Sequence, residues 1–382
     1  MDYVYLDNAA TTELLPEVIK KMNKVLTKNF GNPSSLHRLG IDAEKEVKSA
    51  RQNIAQILKV DFDDIIFTGN GSIANNIAIK GTVNRLKKYG NKIITTQIEH
   101  KSVLEIFKHF EAQGLDVIYL PVNKDGIIDL EFLKNKLDDK TILISIMAVN
   151  NETGVIQPLK EISDLIKNYK KLYFHVDGIQ ALGKIDVDIK ELNIDLFSMS
   201  AHKVHGPKGV GALYINKDII IDKILHGSNQ EKGLYPGTEN TAGIVGFGEA
   251  VKYLPNKNEL KKMKELNVYL ANKIKNNINE VKINTPINGQ SAPHILNVSF
   301  SKIKGEVLVH SLESDNIYTS TGSACSSKKD TTSHVIKAIG IPDKYKEGTI
   351  RFSFNKNITE EQIEYVFNNL QKNISNLRKI MR

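Results

Sequence analysis

One lysine constrains this chain more than any other residue. Lys203 follows an apolar run, 194–199, and precedes a glycine-rich stretch that extends to Gly211. A lysine after a strand, flanked by hydroxyl and imidazole groups, is typical of a Schiff-base site. Asp177 ends another apolar run, 172–176, and open α/β sheets bind ligands at such strand ends. An acid and an amine at two neighbouring strand ends predict a site for pyridoxal phosphate. Asp177 would bind the ring nitrogen, and Lys203 would bind the aldehyde.

Strand-like and helix-like stretches alternate along most of the chain. A helical stripe of apolar residues covers 43–58. The strand-like stretches are 65–67, 93–96, 117–120, 142–147, 172–176, 196–199 and 211–215. This alternation predicts an α/β fold with a mostly parallel seven-stranded sheet and helices on both faces of the sheet.

The length of 382 residues is sufficient for two domains. Residues 1–14 are predicted to lie near the active site, 15–255 to form a large domain, and 256–382 to form a smaller α/β domain. Within this last part, strands are expected at 295–300 and 350–354. Helices are expected from 260 to 278 and from 360 to 380.

Bulk composition excludes several classes of protein. Hydrophobic residues make up 41% of the chain and charged residues 25%, as in an ordinary globular protein. No apolar run approaches the ~20 residues of a membrane span, and no secretory signal is visible, so a cytoplasmic location without membrane contact is expected. The net charge of +8 comes mainly from scattered lysines without a basic block, which argues against direct binding of nucleic acid.

The chain has a single cysteine, Cys325, so an internal disulfide and a multi-cysteine metal site within one chain are excluded. Small polar residues surround it, and Lys328 and Lys329 come after it. This pattern predicts an exposed, mobile loop with cations that favour the thiolate. The alternative is a small buried hydrophobic residue.

Several short motifs occur in the order typical of one enzyme family. They are 5–12 (YLDNAATT), 32–37 (NPSSLH), 99–101 (EHK), 150–152 (NNE), 175–177 (HVD) with Gln180, 237–240 (GTEN), 322–327 (GSACSS) and 351–353 (RFS). With these motifs the chain resembles a cysteine desulfurase of the class V aminotransferase family, which are fold-type I pyridoxal phosphate enzymes. The resemblance covers nearly the whole chain.

The resemblance implies that pyridoxal 5'-phosphate is the cofactor and that Lys203 binds it. His100 would stack on its ring and shuttle protons, Asp177 would pair with the ring nitrogen, and Asn151 and Gln180 would contact the phenolic oxygen. The implied phosphate ligands are Gly71, Ser72, Ser200, His202 and Thr238, the last from the second subunit of a homodimer. The local sequence agrees in part, because a glycine loop at 69–72 precedes a helical pattern in which Ser72 is the expected N-cap.

The resemblance also implies the substrate and the partners. Arg351, helped by Asn8 or Asn151, would bind the carboxylate of L-cysteine through a planar guanidinium. Lys203 would remove the α-proton, and Cys325 would take the sulfur as a persulfide. L-Alanine would leave, and the sulfur would pass to an acceptor protein for iron–sulfur cluster assembly or tRNA thiolation.

Other functional classes find less support in the residues. Gly206, Gly209 and Gly211 have the wrong spacing for a dinucleotide site, and Ile185 stands where a P-loop needs a hydroxyl residue. His202 and His205 suggest a metal site. The lysine between them favours binding of an anion, so no metal is expected. A related lyase or aminotransferase, such as a selenocysteine lyase, stays open.

A non-catalytic paralogue that binds sulfur-transfer partners also stays open, because the chain departs from the family pattern near the phosphate. Ser72 stands for the usual threonine, Ile73 for glutamate, Ala148 for histidine and Tyr235 for arginine. The loss of charge at Ile73 and Tyr235 predicts weaker cofactor binding, by roughly 1–2 kcal/mol.

Overall fold

The computed structural model describes residues 3–321 and 332–380. Its largest element is a seven-stranded sheet with the strand order β2-β8-β7-β6-β5-β3-β4. In this sheet β8 runs in the opposite direction to the other six strands, so the predicted mostly parallel sheet is confirmed. The strands are β2 (Ile65–Thr68), β3 (Lys92–Thr96), β4 (Asp116–Leu120), β5 (Thr141–Met147), β6 (Tyr173–Asp177), β7 (Leu196–Ser200) and β8 (Gly211–Ile215).

Helices cover both faces of this sheet. Alternate strand residues point to opposite faces, and neighbours such as Ile93 and Ile94 accordingly enter different apolar clusters. The helices before residue 256 are α1 (Pro16–Thr27), α2 (Arg38–Leu58), α3 (Gly71–Leu86), α4 (Lys101–Ala112), α5 (Leu130–Lys136), α6 (Leu159–Ile166) and α7 (Thr241–Ala250). The second of these begins five residues before the predicted stripe, because His37 caps it through a bond from the backbone amide of Gly40.

A second core forms around a three-stranded antiparallel sheet with the order β12-β10-β9. A further short pair, β1 with β11, joins the N-terminal segment to this part in parallel. The strands are β1 (Val4–Tyr5), β9 (Val281–Ile283), β10 (Ile295–Phe300), β11 (Ile317–Tyr318) and β12 (Thr349–Ser353). The helices are α8 (Lys257–Asn277), α9 (Gly305–Glu313), α10 (His334–Ala338), α11 (Asp343–Lys346) and α12 (Glu360–Ile380).

The two largest apolar clusters lie against the two main sheets, and the division into a large and a small domain stays a prediction. Val4 and Leu6 pack into the second core, so the N-terminal segment belongs structurally with the C-terminal part. The boundaries after residues 14 and 255 stay predictions. No helix in the described ranges is both long and apolar enough to cross a membrane.

One buried ion pair fixes the loop that precedes α7. Arg51 on α2 donates to both carboxylate oxygens of Glu231, at 2.8 and 2.6 Å, and the backbone amide of Phe67 donates to the same carboxylate. Glu231 and Lys232 have φ of 47° and 58°, which is unusual for residues with side chains. The ion pair therefore holds this loop in a conformation that its own backbone disfavours.

We predict that Arg51→Ala lowers the free energy of unfolding by about 3–5 kcal/mol, because Glu231 would stay buried without its cation. Urea unfolding followed by circular dichroism measures this loss. The matched control is Arg51→Met combined with Glu231→Gln, which removes both charges and keeps an acceptor for Phe67. A double variant no more stable than Arg51→Ala would contradict this account of the loop.

Candidate functional site

A cavity of about 750 Å³ opens at the carboxyl ends of the parallel strands. Most of the predicted site residues line it, namely Gly71, Ser72, His100, Asn151, Asp177, Gln180, Ser200, His202, Lys203 and Arg351. They come from the N-termini of α3 and α4 and from segments that follow β5, β6 and β7, with Arg351 added by β12. The fold thus brings together residues that lie up to 280 positions apart, from 71 to 351.

Lys203 lies at the end of a short helical turn that follows β7 directly. Its ammonium nitrogen donates to the carbonyl oxygens of Ala9 and Ala10, both at 2.7 Å. His202 beside it accepts two bonds at its carbonyl oxygen, from the amide and the hydroxyl of Thr12. Residues 9–12 of the N-terminal segment therefore lie against Lys203 and His202.

Asp177 is the last residue of β6 and is almost completely buried. Its carboxylate accepts from the backbone amide of Ile179 at 3.0 Å and from the side-chain amide of Asn75 on α3 at 2.9 Å. Burial raises the pKa of Asp177, while these two donors and the nearby charges of His100 and Lys203 lower it. Sequence reasoning missed Asn75, although it lies on the helix that begins at the glycine loop.

The N-terminus of α3 forms one wall of the cavity. The predicted N-cap at Ser72 is wrong, because the side chain of Asn70 accepts from the amide of Ile73 at 2.9 Å and the helix begins at Gly71. A Cβ on Gly71 would lie only 2.4 Å from a methyl carbon of Ile179. Only glycine therefore allows the backbone of α3 to come this close to Ile179. Ser200 lies alongside, buried, with no partner for its hydroxyl among the described residues.

Two positions that depart from the family pattern, Ile73 and Tyr235, pack against one apolar cluster that includes Ala74 and Ile77. A Cβ on Gly69 would lie 2.6 Å from the hydroxyl oxygen of Tyr235, so the glycine makes room for the tyrosine. Ala148 lies in a different apolar cluster.

Gln180 and Arg351 are both held by other polar groups. The amide nitrogen of Gln180 donates to the carbonyl oxygen of Ala9 at 2.9 Å, and its oxygen accepts from buried His294 at 3.2 Å. Arg351 is 4% exposed and donates to the carbonyl oxygen of Asn151 and to the carboxylate of Asp7, each at 2.8 Å. Its Nε atom has no partner among the described residues. Arg351 thus contributes a buried guanidinium to the cavity.

Three predicted site residues are not among those that line this cavity. Asn8 is buried beside a different cavity, and its amide donates to the carbonyl oxygens of Tyr5 and Ser353. Thr238 is exposed on the surface of the single chain. Cys325 lies outside the described residues. The roles predicted for these three stay predictions.

Two buried glutamates near the cavity were also missed by sequence reasoning. Glu99 accepts from the hydroxyl of Thr96 at 2.8 Å and from the amide of Met147 at 2.9 Å. Burial raises its pKa to about 8, and the nearby charge of Asp177 adds to the shift. Glu152 accepts from the hydroxyl of Ser333 at 2.6 Å, and burial raises its pKa to about 7. Their only sequence signal was their position inside the short motifs at 99–101 and 150–152.

The chain is similar to known proteins over nearly its whole length. The model of the aminotransferase class-V family matches residues 4–366. The cysteine desulfurase IscS of Clostridium botulinum strain Hall is 45% identical over 382 residues, covering 99% of this chain and 96% of the relative.

Solved structures give the same result for the fold. A structure described as a NifS-like protein is 37% identical and superposes with a TM-score of 0.91, covering 98% of this chain and 99% of its own. A structure described as SspA in complex with cysteine is 34% identical with a TM-score of 0.80, covering 92% and 98%. The fold class predicted from the sequence, that of the fold-type I pyridoxal phosphate enzymes, is confirmed. No cluster of possible metal ligands occurs among the described residues.

We predict that Glu99→Gln changes how stability depends on pH. Because the folded-state pKa of Glu99 is raised from 4.5 to about 8, its contribution to stability is complete below 4.5 and is lost as the pH rises to about 8. The glutamine variant cannot titrate, so across this window it should lose less stability than wild type, by a few kcal/mol. Urea unfolding at several pH values measures the difference. Glu131→Gln, an exposed control, should follow wild type, and identical slopes for all three proteins would refute the assignment.

Proposed function

The chain belongs to the aminotransferase class-V family and, within it, to the cysteine desulfurases, and we propose that it converts L-cysteine to L-alanine and passes on the sulfur. The observation that carries this proposal is the cavity in which Lys203, Asp177, His100 and Arg351 meet. The relative whose description names bound cysteine supports an amino-acid substrate of this size. An amine, an acid, a stacking imidazole and a carboxylate-binding guanidinium form a suitable set for that chemistry.

The residues present fit pyridoxal 5'-phosphate as the cofactor. The buried hydroxyl of Ser200 lacks a partner among the described residues, and it lies beside the N-terminus of α3, where free amides and the helix dipole favour an anion. Asp177 also lines the cavity, and within the described ranges its buried carboxylate has two hydrogen-bond donors but no directly bonded cation. Gly71, Ser72, Ser200 and His202 would hold the phosphate, and Asp177 would hold the ring nitrogen.

When bound, pyridoxal phosphate supplies an electron sink for the carbon atoms of an attached amino acid. The side chains of the cavity bind the cofactor and the substrate and move the proton. Lys203 holds the cofactor and afterwards moves the α-proton of the substrate. Arg351 binds the substrate carboxylate, and its contact with the carbonyl oxygen of Asn151 orients the guanidinium. His100 would cover the ring, and Gln180 and Asn151 would bind its phenolic oxygen.

Cys325 completes the reaction in this proposal. Its thiolate attacks the sulfur of L-cysteine, the carbon–sulfur bond breaks, and the enzyme keeps the sulfur as a persulfide while L-alanine leaves. The support for this role is the sequence around the only thiol of the chain. A sulfur-acceptor protein or a thiol then takes the sulfur, and a scaffold for iron–sulfur cluster assembly and a tRNA thiolation factor are the two acceptor classes. The cytoplasmic location predicted from the sequence stays a prediction.

We also propose that the protein acts as a homodimer. Thr238 is exposed on one chain, which suits a phosphate ligand that reaches the site of a second copy. Large apolar side chains are exposed within the motif at 32–37 and just before it, including Leu26, Phe30 and Leu36. Such exposure is typical of a surface covered by a partner.

Replacement of the lysine tests the proposed function. Wild-type protein should be yellow and should form a cofactor adduct that borohydride traps, whereas Lys203→Ala should lose the trapped adduct. The reason is that, of the lysines that line the cavity in the described part of the chain, Lys203 directly follows β7 and lies in the short turn there, whereas Lys101, Lys108 and Lys337 lie on helices. The measurement is the absorbance spectrum with and without L-cysteine, followed by mass spectrometry after reduction. Wild-type protein that shows no bound cofactor in its absorbance spectrum would contradict the proposal.

Replacement of the cysteine separates binding from sulfur transfer. Cys325→Ser should bind pyridoxal phosphate and still change its absorbance spectrum with L-cysteine, because Lys203 and Arg351 are untouched. It should release no sulfide in the presence of a reductant, because the persulfide cannot form. Product analysis also separates the alternatives, since an aminotransferase gives a keto acid and a desulfurase gives alanine. Unchanged sulfide release by the variant would refute the role of Cys325.

A further inference from the structure

A chain of hydrogen bonds connects His100 to Asp177 through two residues with no assigned role. The hydroxyl of Ser102 lies 2.8 Å from Nδ1 of His100, and the side-chain amide of Asn75 donates to that hydroxyl at 2.9 Å. The same amide nitrogen donates to the carboxylate of Asp177, also at 2.9 Å. Asn75 therefore uses both of its amide hydrogens, one toward each end of the chain.

The donors in this chain point outward from Asn75, toward Ser102 at one end and Asp177 at the other. The hydroxyl oxygen of Ser102 accepts from Asn75 and still has its own proton to donate to Nδ1 of His100. The backbone amide of Ser102 donates to the same Nδ1 at 3.1 Å, as part of the cap of α4. A backbone N–H can only donate, so Nδ1 must carry its lone pair and the ring proton must be on Nε2.

We propose that His100 works as a neutral imidazole with its proton on Nε2, and that Ser102 and Asn75 are positioning residues that hold it in this state. His100 then has one fixed N–H donor, at Nε2, before the substrate arrives. The inference deepens the proposed function, on which its catalytic part rests.

The surroundings of the ring oppose the imidazolium form. A proton on Nδ1 would displace both Ser102 donors and would leave a backbone amide facing an N–H group. His100 also caps the N-terminus of α4, where the helix dipole disfavours a cation. The groups that face it are Asp177, which favours the cation, and Lys101, Lys203 and His334, which oppose it. Burial is the largest effect, and it lowers the pKa of His100.

A neutral imidazole at a helix N-terminus is a known catalytic device, since it can polarise a substrate through its N–H group without carrying charge. Such a group contributes only if its tautomer and orientation are fixed before the substrate arrives. In this chain the hydroxyl of Ser102 on α4 and the side-chain amide of Asn75 on α3 fix the ring of His100. The amide of Asn75 also orients Asp177, so one side chain positions both the acid and the imidazole.

Nuclear magnetic resonance of the full-length protein tests the tautomer directly. With ¹⁵N-labelled histidine, the ring signals of His100 are those that disappear in His100→Gln. The proposal expects a proton on Nε2, a bare Nδ1 and no titration between about pH 6 and 9, where an ordinary histidine would be losing its proton. A proton on Nδ1, or an imidazolium within this range, would overturn it. The spectrum requires no turnover, so this result is independent of whether the desulfurase proposal holds.

A matched pair of variants tests the role of Ser102. Ser102→Ala removes one donor to Nδ1, so the imidazolium becomes easier to form and titration of His100 should move into the measured range. Ser102→Thr keeps the hydroxyl and should restore the wild-type spectrum. With L-cysteine, kcat of the alanine variant should fall roughly three- to ten-fold with KM near wild type, as expected for one neutral hydrogen bond.

An alanine variant with the wild-type spectrum and the wild-type kcat would overturn the role of Ser102. If Ser102→Ala fails to fold, Ser102→Gly removes the same hydroxyl and repeats the test. The wild-type spectrum tests the tautomer of His100 in either case.

Discussion

The buried carboxylate of Asp177 is the constraint around which the site is arranged. A charge taken out of water is costly unless hydrogen bonds and an opposite charge replace the lost solvation. The fold supplies two donors, the amide of Ile179 and the side chain of Asn75, but no hydrogen-bonded cation among the described residues. Burial raises the pKa of Asp177. A cationic partner in the cavity, such as a protonated ring nitrogen, would stabilise the carboxylate, so the burial of Asp177 favours a ligand of that kind.

The N-terminal segment and the second core complete the cavity from the opposite side. The carbonyl oxygens of Ala9 and Ala10 bind Lys203, and Ala9 also binds Gln180. Asp7 in the same segment accepts from Arg351 at 2.8 Å, so the guanidinium is already oriented before it meets a carboxylate. A short strand pair links this segment to the C-terminal part. Parts of the chain that are distant in sequence are therefore mutually dependent at the site.

The sequence was sufficient to predict the elements whose pattern is local. The seven strands and the final helix depend on short apolar runs and on the residues directly after those runs. The helix cap at Ser72 was predicted wrongly because two polar residues near the glycine loop both suit a cap, and only the backbone geometry selects Asn70. Asn75, Ser102 and the buried state of Glu99 could not be predicted, because each depends on which distant segment packs against it.

The departures from the family pattern also acquire a physical meaning only in three dimensions. Read singly, Ile73 and Tyr235 are lost charges, which would favour a decayed site. In the structure, the hydroxyl of Tyr235 fills the space above Gly69, and both altered side chains pack against one apolar cluster. Random loss of function leaves cavities, whereas Tyr235 occupies the space that Gly69 leaves, and Ile73 and Tyr235 pack against the same cluster. This packing favours an adapted pocket wall, in which apolar contacts replace charged ones, over a decayed site.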